Sequence, residues 1–155
     1  MLLSFEDGRP FARGAATYLD HLATKPETTP RIFVHVQIEH ILTETVIDTG
    51  APYLVCDPEI ADRLDLDPSS GYKVAPLRIR GHTVDGTLHR LCLTLLAEEG
   101  DSLTLEVSAF VPCLQPNQLW DLPYYMGLLG CLEWVRFAVD PTTNTFYFGA
   151  IDLAH

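Results

Sequence analysis

The sequence predicts a single, mainly β domain, and three observations carry that prediction. Ile32, Val34, Val36 and Ile38 alternate with Phe33, His35 and Gln37, which gives an apolar face at period two. Strand-like runs recur between Val74 and Phe110, punctuated by Asp85-Gly86 and Gly100-Asp101. Of the 155 residues, 47% are hydrophobic and 20% charged, enough apolar material for one packed core and too little charge for a disordered chain.

Taken in order, residues 1–30 are the least patterned. Leu2, Leu3 and Phe5 suit an edge strand, and Ala15 to Leu22 a short helical turn. Lys25-Pro26-Glu27-Thr28-Thr29-Pro30 then reads as a linker to a domain spanning 31–155. The half-buried strand from Arg31 ends at a Glu39-His40 turn, and Ile41 to Ile47 returns as a second strand that delivers Asp48. Pro52 to Cys56 leaves as another strand. Asp57-Pro58-Glu59 follows, with an N-cap acceptor, a proline at the first helical position and an acid in the first turn, so a helix starts here. Ile60, Ala61 and Leu64 share its buried face; it stops near Leu66-Asp67-Pro68, and Ser69-Ser70-Gly71 is a loop. Three strands are expected next, over Val74–Arg80, Gly86–Leu96 and Ser102–Phe110. Val111 to Tyr125, rich in Pro, Gln and Asn, reads as an ordered loop, in which Trp120 and Tyr124 serve either as anchors or as walls of a cleft. Leu132, Trp134 and Val135 have short-helix spacing, and two strands, Phe137–Asp140 and Thr145–Phe148, close the chain.

A formal net charge of -11 argues against nucleic acid and against anionic membranes as partners. The beginning turns acidic at Glu6-Asp7 before a signal peptide's apolar region can form, and no apolar run is long enough to span a bilayer, so a soluble, cytoplasmic protein is expected. Cys56, Cys92, Cys113 and Cys131 lie singly on apolar stretches, which fits buried free thiols better than disulfides. His21, His35, His40, His82, His89 and His155 show no ligand spacing, so neither a metal nor another cofactor is expected.

The stretch with chemical content is Thr45-Val46-Ile47-Asp48-Thr49-Gly50-Ala51. It carries a carboxylate to the edge of a core, a costly place for an isolated charge. No Lys or Arg occurs between Arg31 and Arg63, and the Asp48 of a second copy would supply the missing partner. Asp48-Thr49-Gly50-Ala51 after two apolar residues, followed far downstream by Gly127-Leu128-Leu129-Gly130, resembles the retroviral-type (retropepsin-like) aspartic peptidases, in a single-domain cellular or bacterial form. The resemblance spans residues 31–148.

The resemblance implies a closed, β-barrel-like acid-protease fold with one lobe per chain and one or two short helices. Because one D-T-G occurs and no D-S-G, it also implies a homodimer in which each copy supplies Asp48. Two carboxylates sharing a proton divide into general base and general acid, and a water activated between them hydrolyses peptide or protein substrates. In this scheme Asp48, Thr49 and Gly50 are catalytic, with Thr49 bonding across the two-fold axis and the Gly50 N–H orienting a carboxylate. Ala51 and Leu129 contact substrate. Leu128, Leu129 and Gly130 pack behind the loop, where a side chain at position 130 would push Asp48 out of register. Arg80 to Gly86 stands where the family carries its flap, so Gly81, His82, Thr83 and Val84 join the substrate-binding set; an ordinary hairpin turn gives the same pattern. Such a lid needs few core contacts. The N-terminal segment falls near the dimer interface or forms a mobile arm. Pro52-Tyr53 and Cys131-Leu132 depart from the viral pattern, which has two acids and Arg-Asn at those places. An alternative function is a non-catalytic, dimeric peptide-binding module that keeps the fold.

Overall fold

The computed structural model describes residues 2–23, 28–79, 81–122 and 124–151. Strands β1 (Gly14–Thr17), β2 (Leu19–His21), β3 (Arg31–Ile38), β4 (Ile41–Ile47) and β5 (Leu54–Val55) lead into helix α1 (Pro58–Arg63). There follow β6 (Lys73–Val74), β7 (Leu77–Ile79), β8 (His82–Val84), β9 (Gly86–Leu95), β10 (Glu99–Gly100), β11 (Leu103–Pro112) and β12 (Tyr125–Met126). A 3-10 turn over Leu132–Trp134 precedes β13 (Val135–Asp140) and β14 (Thr145–Ala150). The architecture is mainly β, with one lobe.

The large sheet runs β2-β3-β4-β12-β5-β11-β9-β6, and β9 also pairs with β3 through Val36–Leu95, Gln37–Thr94 and Ile38–Leu93. Strands β3, β4, β12, β5, β11 and β9 therefore form a closed ring, with β2 and β6 added at its margins. A second sheet runs β10-β1-β14-β13, and β7 and β8 make a separate hairpin.

Alternation along the strands sorts side chains into two cores. Val34, Val36 and Ile38 of β3, Leu54 of β5, Leu91, Leu93 and Leu95 of β9 and Val107, Ala109 and Val111 of β11 join Phe146 and Phe148 of β14 in the larger core. Phe33, Val46, Val55, Leu88, Phe110 and Tyr125, with opposite parity, form the smaller core beneath the β7–β8 hairpin. Full burial of one such Leu or Phe contributes roughly 1.5–3 kcal/mol. The middle of the large sheet is thus covered on both faces, which fixes its register, because a one-residue slip would exchange the two sets of side chains.

The hairpin β3–β4, its turn at Glu39 (φ 52°) and the strand leading to Asp48 lie where the sequence places them. Helix α1 starts as expected, with the Asp57 carboxylate accepting from the Glu59 N–H at 2.7 Å. Other expectations are corrected. Ala15 to Leu22 is not helical; β1 inserts between β10 and β14, and β2 pairs with β3, so tertiary pairing overrides local propensity. The strand expected over Val74–Arg80 is broken at Ala75-Pro76 into β6 and β7, since proline cannot supply a ladder N–H. Strand β11 runs on through Val111-Pro112, and Tyr125 begins a strand rather than ending a loop. All four cysteines are free thiols, but Cys92 and Cys113 are exposed and Cys56 and Cys131 are buried. Positions 25–27 of the expected linker, Arg80, Pro123 and His155 lie outside the described residues. No helix among the described residues is long and apolar enough to cross a membrane.

Candidate active site

Asp48 follows directly on β4, and its position is set by strand β12. That strand lies between β4 and β5, parallel to the first and antiparallel to the second. The Val46 N–H donates to the Tyr124 carbonyl at 2.9 Å and the Asp48 N–H to the Met126 carbonyl at 3.1 Å. Beyond Asp48 the chain turns back, with the Ala51 N–H donating to the Asp48 carbonyl at 3.1 Å. Two bonds then fasten the outgoing limb to the downstream glycine segment: Gly127 N–H to Tyr53 O and Leu128 N–H to Ala51 O, both 2.7 Å. The loop is therefore held from both ends by one short stretch of chain.

This bracing identifies which glycine the site needs. A Cβ on Gly127 would fall 2.2 Å from the Tyr53 carbonyl oxygen and 2.5 Å from that of Ala51, so any side chain there must part the two segments. Position 130 does not have the expected role. Gly130 has φ +64° and a Cβ there would meet Ser108 of β11, not the Asp48 loop. Leu128 and Leu129, expected to pack behind the loop, are 41% and 47% exposed, and the segment holds the loop through its backbone.

The Asp48 carboxylate is half-buried. Its Oδ1 accepts from the Gly50 N–H at 2.9 Å, the orienting role expected of that peptide group, and Oδ2 has no partner among the described residues. Thr49 is exposed, and its hydroxyl has no hydrogen bond within the described part of its own chain. Asp48, Gly50 and Ala51 line a cavity of ≈ 200 Å³ with Pro52, Val55, Tyr125, Arg31 and the β7 residues Leu77, Arg78 and Ile79. Proximity in sequence does not supply cations to Asp48; the fold brings Arg31 and Arg78 to the same cavity.

The remaining expected site residues fall into two places. His82, Thr83 and Val84 lie on β8, paired to Ile79, Arg78 and Leu77, and Gly81 (φ +81°) sits in the intervening turn, so the segment is a hairpin beside the Asp48 cavity. The wall it contributes comes from β7. Its base is not free of core contacts: Leu77 and Val84 are 8% and 6% exposed and belong to the smaller core. Leu129 lines a different cavity, of ≈ 540 Å³, with Tyr53, Tyr72, Arg90, Glu106 and Trp134. Trp120 and Tyr124 anchor their loop against the two cores, and it is the neighbouring Tyr125 that reaches the Asp48 cavity. Sequence reasoning missed Arg31, Arg78 and Tyr125, whose selection depends on strand pairing. No group of three or more His, Cys, Asp or Glu arranged to hold a metal ion occurs among the described residues.

No protein-family model matches the sequence, and no curated protein matches it. Among solved structures, the chain is similar to a retropepsin-like aspartic protease from Rickettsia conorii, at 13% identity and a TM-score of 0.45. The match covers 88% of this chain and 96% of that one.

Proposed function

We propose that the chain is one subunit of a homodimeric aspartic endopeptidase acting on peptide or protein substrates in the cytoplasm. The observation that carries this reading is the Asp48 carboxylate: half-buried at the end of a braced strand, one oxygen fixed by the Gly50 N–H, the other without a partner among the described residues and beside a cavity walled by a hairpin. A charge so placed lacks the second group that would share its proton, and the exposed Thr49-Gly50 face offers a route for a second copy to bring one. The exposed Leu128 and Leu129, bonded through their segment to Ala51, add apolar surface on the same loop assembly.

In the dimer the two Asp48 carboxylates hold one proton between them, because two negative charges at that separation oppose each other. The ionised member takes a proton from water, the water oxygen attacks the scissile carbonyl, and the protonated member donates to the developing oxyanion and then to the departing amine. Gly50 fixes carboxylate orientation, Thr49 joins the two loops, and the hairpin closes over the extended substrate.

The test is cleavage of a diverse peptide library from mildly acidic to neutral pH by wild type and Asp48→Asn, with dimer mass followed in the same buffers. Asn keeps the shape of Asp but cannot act as the base, so turnover should fall by a factor on the order of 10⁴ or more. A soluble wild-type dimer that cuts nothing, or an Asn variant that cuts equally well, removes the enzyme reading and leaves a peptide-binding cleft.

A further inference from the structure

We propose that the Asp48 cavity selects substrates carrying a carboxylate side chain, an Asp or Glu, and that Arg78 is the residue that reads it, with Arg31 beside it. This rests on the reading of the cavity as a substrate site and names the class of peptide it takes. The chain has 10 Lys and Arg against 21 Asp and Glu, a surface that repels acidic peptides in general. The described lining of this one cavity has a different make-up: Arg78 and Arg31 stand with one carboxylate, Asp48, and the other residues, Gly50, Ala51, Pro52, Val55, Leu77, Ile79 and Tyr125, are uncharged. Arg31 has an interaction of its own, so the cation offered to a ligand is Arg78.

Three features make Arg78 a reader of carboxylates rather than a surface charge. It is exposed on β7, and no Asp or Glu among the described residues lies within ion-pair distance of it. Leu77, Ile79 and Val55 give the cavity apolar walls, and a side chain that fills it displaces water from beside Arg78, which strengthens a charge–charge contact made there. Its guanidinium presents parallel donors that match both oxygens of a carboxylate. The cavity, at ≈ 200 Å³, has room for one side chain rather than a larger ligand. Arg78 also answers a problem of the chemistry, since an acidic substrate approaching an ionised Asp48 is otherwise repelled. Because Leu77 beside it is anchored in the smaller core, Arg78 is presented to the cavity from the fixed base of the hairpin. Arg78 is thus a specificity residue and touches no reacting atom.

The experiment uses the full chain as wild type, Arg78→Gln and Arg78→Glu, with peptide pairs identical except for Glu or Gln at each position around the cut bond, and a Lys counterpart of each. For wild type, kcat/KM should favour the Glu member of at least one pair by about tenfold or more, the range of hydrogen bonds to charged groups, and added salt should shrink the ratio. Arg78→Gln should bring the ratio close to one, and Arg78→Glu should reverse it in favour of Lys at that position. Equal cleavage of Glu and Gln peptides by wild type at every position, or a preference that survives in Arg78→Gln, overturns the proposal while the peptidase reading stands. If wild type cleaves nothing, the peptidase reading has failed, and fluorescein-labelled pairs are titrated against both proteins by anisotropy. Tighter binding of the Glu peptide that depends on Arg78 then supports carboxylate selection, and its absence overturns it.

Discussion

At the scale of single residues, the site turns on close approach more than on charge. Gly127→Ala should destabilise the protein by about 1–3 kcal/mol, the usual cost of forcing atoms into a filled space, read as a lower urea midpoint. It should also lower turnover, because the displaced carbonyls belong to the Asp48 loop. Burial has a separate signature in the thiols. Desolvation pushes the Cys56 and Cys131 thiols up to about 12, whereas Cys92 and Cys113 are exposed. A disulfide reagent at neutral pH should therefore label Cys92 and Cys113 in the folded protein and reach Cys56 and Cys131 only after denaturation. Asp140 gives a pH effect of known sign. The Thr142 hydroxyl and N–H, at 2.6 and 2.9 Å, hold its carboxyl below the ordinary 3.8. The folded state thus favours the carboxylate, and its contribution is complete above the unfolded value and lost as pH falls through the folded one. Thermal melts of wild type and Asp140→Asn should differ at neutral pH and converge below 3.8.

At the scale of elements, the β7–β8 hairpin has a packed base and an exposed tip. Leu77 and Val84 pair with each other and enter the smaller core, whereas His82 and Thr83 are exposed. Motion should therefore be confined to the turn and not involve the departure of the whole hairpin. Hydrogen exchange should find the amides near the tip opening well before those of β9 and β11, which share a ten-residue antiparallel ladder from Leu103–Leu95 to Pro112–Gly86. Equal protection along the hairpin would argue for a rigid flap. Strand β12 is the other decisive element. Only two residues long, it carries Tyr125 to the cavity and receives the Asp48 N–H, so the Asp48 loop and the cavity wall depend on one insertion between β4 and β5.

At the scale of the whole molecule, the site proposed here is incomplete in one chain, and the prediction concerns assembly. Thr49→Arg places a bulky charge on an exposed residue whose side chain has no hydrogen bond among the described residues, so monomer stability should change by no more than about 0.5 kcal/mol. Two such cations meeting across a two-fold axis should nevertheless separate the dimer and abolish cleavage together. Sedimentation velocity alongside the peptide assay checks this; a variant that remains dimeric and active would show that the copies do not meet through this loop.

The sequence by itself determined the elements whose signals are local. The period-two face of β3, the return of β4 to Asp48, the capped start of α1 and the final strand pair all follow from neighbouring residues, because alternation, capping and turn chemistry act over a few positions. It also singled out Asp48 and Gly50, which sit together in one turn. Tertiary structure decided the rest. The N-terminal residues became strands because open edges of two sheets accept them, and Tyr125 became a strand because β4 and β5 leave a gap that it fills. Gly127 rather than Gly130 guards the loop, and Arg31 and Arg78 line its cavity, for the same physical reason. Which backbone atoms approach within a few ångströms, and which distant side chains share one wall, depends on pairing between strands far apart in the chain, and no local pattern records that pairing.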